Sequence, residues 1–187
     1  LVRRAGNYFG MQESADDSLG QDWSSTKLVA YDLESGRPLW EIGGSQHGDA
    51  FELPLSGYFF HGAPLVDQGE LFIIGEKESQ IQLICLDAAT GSVKWTQALA
   101  ASQVKIEQDI VRRRFGAQPA VSQGVIVCPT TTGLIVAVER ESHALLWSEN
   151  VSSSGIRNNR MGRNRVSSTR QQPLNKRWVT APPVIVG

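Results

Sequence analysis

Ala30-Tyr31-Asp32-Leu33-Glu34-Ser35-Gly36-Arg37-Pro38-Leu39-Trp40 decides how this chain is read. It returns as Cys85-Leu86-Asp87-Ala88-Ala89-Thr90-Gly91-Ser92-Val93-Lys94-Trp95. A worn third copy is Ala137-Val138-Glu139-Arg140-Glu141-Ser142-His143-Ala144-Leu145-Leu146-Trp147. The common skeleton is a small residue, an acid two positions on, Ser or Thr, Gly, and a tryptophan four positions after the Gly. A second landmark keeps the same register: Ala63-Pro64-Leu65-Val66, then Gln118-Pro119-Ala120-Val121, with Pro182-Pro183-Val184-Ile185 opening a third. Trp40 to Pro64 and Trp95 to Pro119 are both 24 positions. A period a little over 50 residues lies just above the usual range of solenoids, propellers and arrays.

Each unit reads as four short strands. In the second these are Ala63–Asp67, Leu71–Gly75, Ile81–Asp87 and Val93–Leu99; in the third, Pro119–Ser122, Val125–Pro129, Leu134–Glu139 and Leu145–Val151. The first contributes Lys27–Leu33 and Arg37–Ile42. Strand-length runs rich in β-branched residues and bounded by Gly, Asp and Ser carry that reading. Four antiparallel strands per repeat make the blade of a β-propeller. The expected fold is therefore all-β: a propeller fragment of about three four-stranded antiparallel blades with tryptophan-docking repeats. Asp32 and Asp87 end a strand where a carboxylate accepts turn amides. Gly36 and Gly91 supply positive φ. Thr90 belongs to the same turn, and Trp40, Trp95 and Trp147 follow it on the outer strand, placed to pack on the next blade. A buried Trp hides about 150–250 Å². In the third copy Glu139 and His143 replace Asp and Gly, which predicts a looser turn or one of another type.

The pattern Ala-x-Asp-x-x-Thr-Gly-x-x-x-Trp resembles the tryptophan-docking repeat of the pyrroloquinoline-quinone (PQQ)-type β-propellers, over roughly residues 26–150. That superfamily includes quinoprotein alcohol dehydrogenases and the propeller lipoprotein of the outer-membrane barrel-assembly machine. The resemblance implies a seven- or eight-bladed parent, a periplasmic or cell-surface location, and no obligatory quinone. The adjacent cysteine pair of quinoprotein dehydrogenases is missing here, since Cys85 and Cys128 are the only cysteines. Both sit in apolar runs and read as buried free thiols.

A chain opening on Leu1 and ending at Gly187 inside an apolar run reads as one partial propeller. Its parts are the end of a first blade with a loop (1–43), a second blade (62–99), a third (117–151), a basic inserted loop (152–180) and the start of a fourth (181–187). The remaining blades of a parent chain are then its first partners. Lys and Arg number 18 against 19 Asp and Glu, so net charge points to no global electrostatic partner. No run of 18 apolar residues spans a membrane. The acidic stretch carrying Glu13, Asp16, Asp17 and Asp22 lacks the regular spacing of a calcium loop. His47, Asp49, Glu52 and His61 match no metal motif and read as an ordered polar loop.

In a four-strand meander, the outer-to-inner crossovers and the second-to-third hairpins share one face, and the Ser/Thr-Gly turns share the other. The long crossovers, 44–62, 100–117 and 152–181, are where binding belongs. The second is predicted to hold a short helix ending in Arg112-Arg113-Arg114, which suit either local ion pairs or a partner's carboxylates. The third carries Arg157, Arg160, Arg163, Arg165, Arg170, Lys176 and Arg177 with no acid, and reads as a flexible loop able to meet an anionic macromolecule. The expected function is a non-catalytic binding or scaffold module for a protein or other macromolecular partner, with no cofactor. The alternatives are part of a quinoprotein dehydrogenase, with PQQ and calcium on the ring axis, or the sensor domain of a larger protein. No HExxH, GxSxG, GxGxxG or phosphate-cradling loop occurs.

Overall fold

The computed structural model describes residues 2–5, 24–46, 52–151 and 182–186, the first four by their backbone alone. In chain order they form β1 (Val2–Ala5), β2 (Lys27–Tyr31), β3 (Pro38–Gly43), β4 (Phe59–Asp67), β5 (Glu70–Lys77), β6 (Gln80–Asp87) and β7 (Val93–Ala101). A 3-10 turn (Ile106–Gln108) and helix α1 (Ile110–Arg114) follow. Then come β8 (Ala120–Ser122), β9 (Val125–Pro129), β10 (Leu134–Glu139) and β11 (Leu145–Asn150). Every pairing is antiparallel between sequence neighbours: β1-β2-β3, β4-β5-β6-β7 and β8-β9-β10-β11. The chain is thus nearly all β, built of meanders, as the repeat predicts.

The central sheet is buried on both faces, and the period of two along its strands divides its side chains. Phe72, Ile74, Ile81, Leu83 and Cys85 pack on Ile126, Cys128, Val136 and Val138 of the third sheet. Leu71, Ile73, Ile84 and Leu86 point the other way, onto Leu28 and Ile42 of the first. Sheets stacked face to face with alternating residues interleaved are how propeller blades bury their cores. Fully burying one such side chain is worth roughly 1.5–3 kcal/mol, so each blade depends on its neighbours for most of its stability.

β9 and β10 have the predicted bounds. β4 starts earlier, at Phe59, because Phe59, Phe60 and His61 are all buried and the Phe60 amide donates to Thr26 Oγ1 at 2.8 Å. A register shift between His61 and Leu65 follows, where the sequence shows Gly62 and suggests a break.

The repeated motif has one geometry in all three sheets. Trp40 lies opposite Ala30, Trp95 opposite Cys85 and Trp147 opposite Ala137, with a register shift immediately after each pair. The skeleton's small residue therefore sits across the strand from the indole, leaving it room, and the extra residue (Leu39, Lys94, Leu146) makes a bulge that turns it. The turns close alike: the amides of Asp32, Asp87 and Glu139 donate to the carbonyls of Arg37, Ser92 and Ala144 at 2.8, 2.9 and 2.8 Å. Asp32 Oδ1 accepts from the Ser35 amide at 2.8 Å, and Asp87 Oδ1 from the Thr90 amide at 2.9 Å. The Ser35 hydroxyl and amide hold the Asp32 carboxyl below its ordinary range, and the Thr90 amide and hydroxyl do so for Asp87.

The first two indoles sit on the next sheet's turn. Trp40 Nε1–H donates to the Ala88 carbonyl at 3.2 Å, and its ring lies over Gly91 so closely that a Cβ there would stand 2.6 Å from Cδ2. One unit on, Trp95 stacks on His143 with centroids 4.1 Å apart and planes at 27°. His143 has φ 59, beside 68 at Gly36 and 73 at Gly91. The third turn keeps the left-handed conformation but is looser, as expected: the amides of Gly36 and Gly91 donate to the carbonyls of Asp32 and Asp87 at 2.9 and 2.8 Å, and among the described residues His143 makes no such bond to Glu139. The imidazole takes the left-handed conformation and spreads under the indole, so the stack offsets the strain that a Cβ brings.

Candidate functional site

The face carrying the crossovers is tied together by one buried carboxylate. Glu76 ends the apolar run of β5 and is 1% exposed. Its Oε2 meets His61 Nε2, from β4, at 3.1 Å and accepts from an Arg112 guanidinium nitrogen on α1. His61 is fully buried and packs edge-on against Phe59 at 5.2 Å. The other Arg112 nitrogens reach Ser102 Oγ (2.6 Å), the Val104 carbonyl (2.7 Å) and Thr131 Oγ1 in the β9–β10 turn (3.1 Å). A lone buried charge is costly, and a pair is tolerated best when its remaining donors and lone pairs are satisfied; Arg112 meets that condition, while Glu76 Oε1 is buried without a hydrogen-bond partner.

The same face is laced by the β5–β6 hairpin. Lys77 Nζ donates to the Ser56 carbonyl at 3.0 Å, in the first crossover, and the Ser102 amide donates to the Ser79 carbonyl at 2.8 Å, in the second. A cavity of about 200 Å³ lies between them, lined by Gln46, Gly57, Lys77, Glu78, Lys105 and Glu107 among others. Helix α1 is started by Asp109, whose Oδ1 accepts from the amides of Val111 and Arg112 at 3.1 and 3.2 Å. With Val111 and Arg112 turned inward, α1 leaves Ile110 (52% exposed), Arg114 and Phe115 (42%) at the surface.

The opposite face carries the Ser/Thr-containing turns and a different link. Arg140 donates to Asp67 Oδ2 at 2.5 Å and to Glu70 Oε2 at 2.8 Å, and Lys94 meets Glu70 Oε1 at 2.7 Å. Lys94 first, then Arg140, holds the Glu70 carboxyl below its ordinary range. The two faces are thus chemically distinct: one locks crossovers to a hairpin, the other clamps the third sheet to the second.

Of the residues singled out from sequence, Trp40, Asp87, Thr90, Gly91 and Trp95 come together at the joints between sheets, whereas Asp32 and Gly36 close the first turn, with no described atom within 4 Å of where a Gly36 Cβ would stand. Trp147 is 48% exposed. The run Arg112-Arg113-Arg114 does not act as one patch. Arg112 is buried with its donors engaged, Arg113 is half-buried, and Arg114 alone is fully at the surface. As a ligand for a partner's anion, Arg112 is corrected: its carboxylate is Glu76, in its own chain. His61 leaves the expected polar loop for the interior of β4; His47 and Asp49 lie outside the described residues, as do Arg157, Arg160, Arg163, Arg165 and the acidic stretch 13–22. Cys85 and Cys128 are buried free thiols, and burial pushes them up to about 11 and about 12.

Sequence reasoning missed the Glu76–Arg112–His61 cluster. Its signal was one polar residue inside or ending an apolar run, as His61 follows Phe59-Phe60 and Glu76 follows Leu71–Gly75. Among the described residues no three His, Cys, Asp or Glu are placed to hold a metal ion. Glu76, the buried carboxylate of this face, is engaged by His61 and Arg112 of the chain itself. No helix among the described residues is long and apolar enough to cross a membrane.

No family model matches the chain, and no curated protein matches it by sequence. Among solved structures it is similar to the computationally designed Ika8 protein, at 13% identity and TM-score 0.39, over 68% of this chain and 31% of that one. It is also similar to BamB from Moraxella catarrhalis, at 15% identity and TM-score 0.29, over 67% of this chain and 49% of that one. The chain therefore spans about a third and about a half of these two proteins. The fold itself is carried by the strand pairing and by the tryptophan joints between the sheets.

Proposed function

We propose that this chain is a non-catalytic binding or scaffold module that meets a protein partner through its crossover face, in a periplasmic or cell-surface setting. One observation carries the reading: α1 is fixed from beneath by Arg112 on Glu76 while Ile110, Arg114 and Phe115 stand outside. A rigid element that shows two apolar side chains and a cation has the composition of an interface centre, where apolar and aromatic anchors and arginine are enriched. Anchoring from below removes the ordering cost that a free loop would add on binding. The basic stretch 152–180 would add a preference for an anionic partner.

The test is site-specific photo-crosslinking in the native host. A photoreactive residue at position 110, 114 or 115 is expected to trap a discrete protein partner, and one at Ser35 or Ser92, on the turn face, is not. Equal trapping from both faces, or from neither, overturns the reading. The quinoprotein alternative is answered by titrating PQQ with calcium into the protein. Stoichiometric binding would replace the scaffold reading with an enzymatic one.

A further inference from the structure

We infer that the cavity beside the β5–β6 hairpin is a binding site for a small zwitterion with the size and charge pattern of a free amino acid. The cavity holds about 200 Å³, below the roughly 300–1,000 Å³ of pockets for drug-sized ligands. Glu76 belongs to its lining and is 1% exposed. Its Oε2 is taken by His61 and Arg112, while Oε1 is buried and accepts no hydrogen bond. Buried polar atoms of folded proteins nearly always have a partner, so an oxygen without one calls for a donor from outside the chain. An ammonium is well suited to a carboxylate oxygen, since such charge-assisted bonds are the strong ones.

Charges of both signs gather on the rest of the lining. Glu78 and Glu107 bring two more carboxylates, and Lys77 and Lys105 bring two ammonium groups. Lys77 Nζ is held by the Ser56 carbonyl at 3.0 Å, and among the described residues no ion pair engages Glu78, Lys105 or Glu107. With Glu76 matched by Arg112, two acids face two lysines, and an ion of one sign has no advantage there. An occupant with one charge of each sign is complementary: its ammonium goes to the carboxylates, its carboxylate to the lysines. The hairpin also keeps side chains where glycine is easier. Glu78 and Ser79 follow each other at φ 51 and 67, whereas the hairpins of the opposite face place a glycine second, Gly69 at 77 and Gly124 at 78. Strain of this kind clusters at ligand sites, and both Glu78 and Ser79 line the cavity. Ile110, Arg114 and Phe115 do not line it, so the site does not rest on the docking function proposed above.

The experiment is isothermal titration of the purified chain at pH 7 with each of the common free amino acids, and of every binder's N-acetyl and amide derivatives, which lack the ammonium or the carboxylate. At least one amino acid is expected to bind one to one. Each derivative is expected to bind about tenfold more weakly or worse, the loss of one hydrogen bond to a charged group. Lys105→Met and Glu107→Gln, both at exposed positions, are each expected to weaken binding by about tenfold or more while leaving the urea midpoint unchanged. No heat from any amino acid at millimolar concentration, derivatives that bind as tightly as their parent, or undiminished binding in either variant would overturn the inference and leave the cavity to water. No protein partner takes part, so this outcome is read separately from the crosslinking.

Discussion

Replacing Gly91 with alanine isolates the tryptophan joint, because Gly36 supplies an internal control. Both glycines have nearly the same left-handed φ, 73 and 68. A Cβ in that region costs about 1–2 kcal/mol, and both Gly91→Ala and Gly36→Ala carry this cost. Only at Gly91 does the new Cβ also strike an indole, 2.6 Å from Trp40 Cδ2 and 2.7 Å from Cε3. The ring must lift, and its 3.2 Å hydrogen bond to Ala88 breaks. That bond is worth about 1 kcal/mol. Exposing roughly half the area of a buried Trp, about 100 Å², adds about 2 kcal/mol. Gly91→Ala is therefore expected to destabilise by about 4 kcal/mol and Gly36→Ala by about 1–2 kcal/mol. Equilibrium urea unfolding reads both. A cycle with Trp40→Ala completes the test: without the ring, Gly91→Ala should cost no more than Gly36→Ala. Equal costs in the wild-type background, or an undiminished cost at Gly91 without Trp40, would refute the seat.

Three more outcomes are expected. Glu76→Gln leaves Arg112 buried without its anion, and should destabilise by about 3–5 kcal/mol in urea unfolding; a double Glu76→Gln, Arg112→Met variant should recover part of that loss. Glu70 has a carboxyl pKa lowered by Lys94 and Arg140, so its contribution to stability is complete above the ordinary carboxylate pKa and is lost as pH falls through the lower folded value. Between pH 6 and pH 3 the melting temperature should fall less in Glu70→Gln than in the wild type, and equal falls would argue against the link. Cys85 and Cys128, pushed up to about 11 and about 12 by burial, should resist a thiol-specific reagent at pH 8 in the native state and both react once urea unfolds the chain.

The joints were legible in the sequence because everything that builds them is local. The acid, the Ser or Thr, the Gly and the Trp fall within eleven positions, and the strand pattern around them repeats. His143 was legible only in part. Loss of glycine from a left-handed position predicts strain, but the side chain that brings the strain also supplies a surface for Trp95. The cluster under the crossover face was out of reach because His61 and Arg112 stand 15 and 36 positions from Glu76. Only the register of β4 on β5 and the placement of α1 bring them together. Three consecutive arginines look equivalent in a sequence; whether each is anchor or surface depends on which way a five-residue helix turns, and Asp109 at its start sets that.

The clamp around Arg140 bears on how such a chain can grow or shrink. The tryptophan joint is indifferent to order, since an indole accepts either a glycine or a histidine turn, and repeats joined only in that way could be duplicated, deleted or exchanged. Arg140 is not indifferent. It occupies the place held by Leu33 in the first repeat and Ala88 in the second, and it reaches back to Asp67 and Glu70 of the preceding unit. Swapping the second and third repeats would keep two indoles seated yet strand that guanidinium beside the wrong neighbour. The generic joint makes the repeats interchangeable, and one arginine gives them an address.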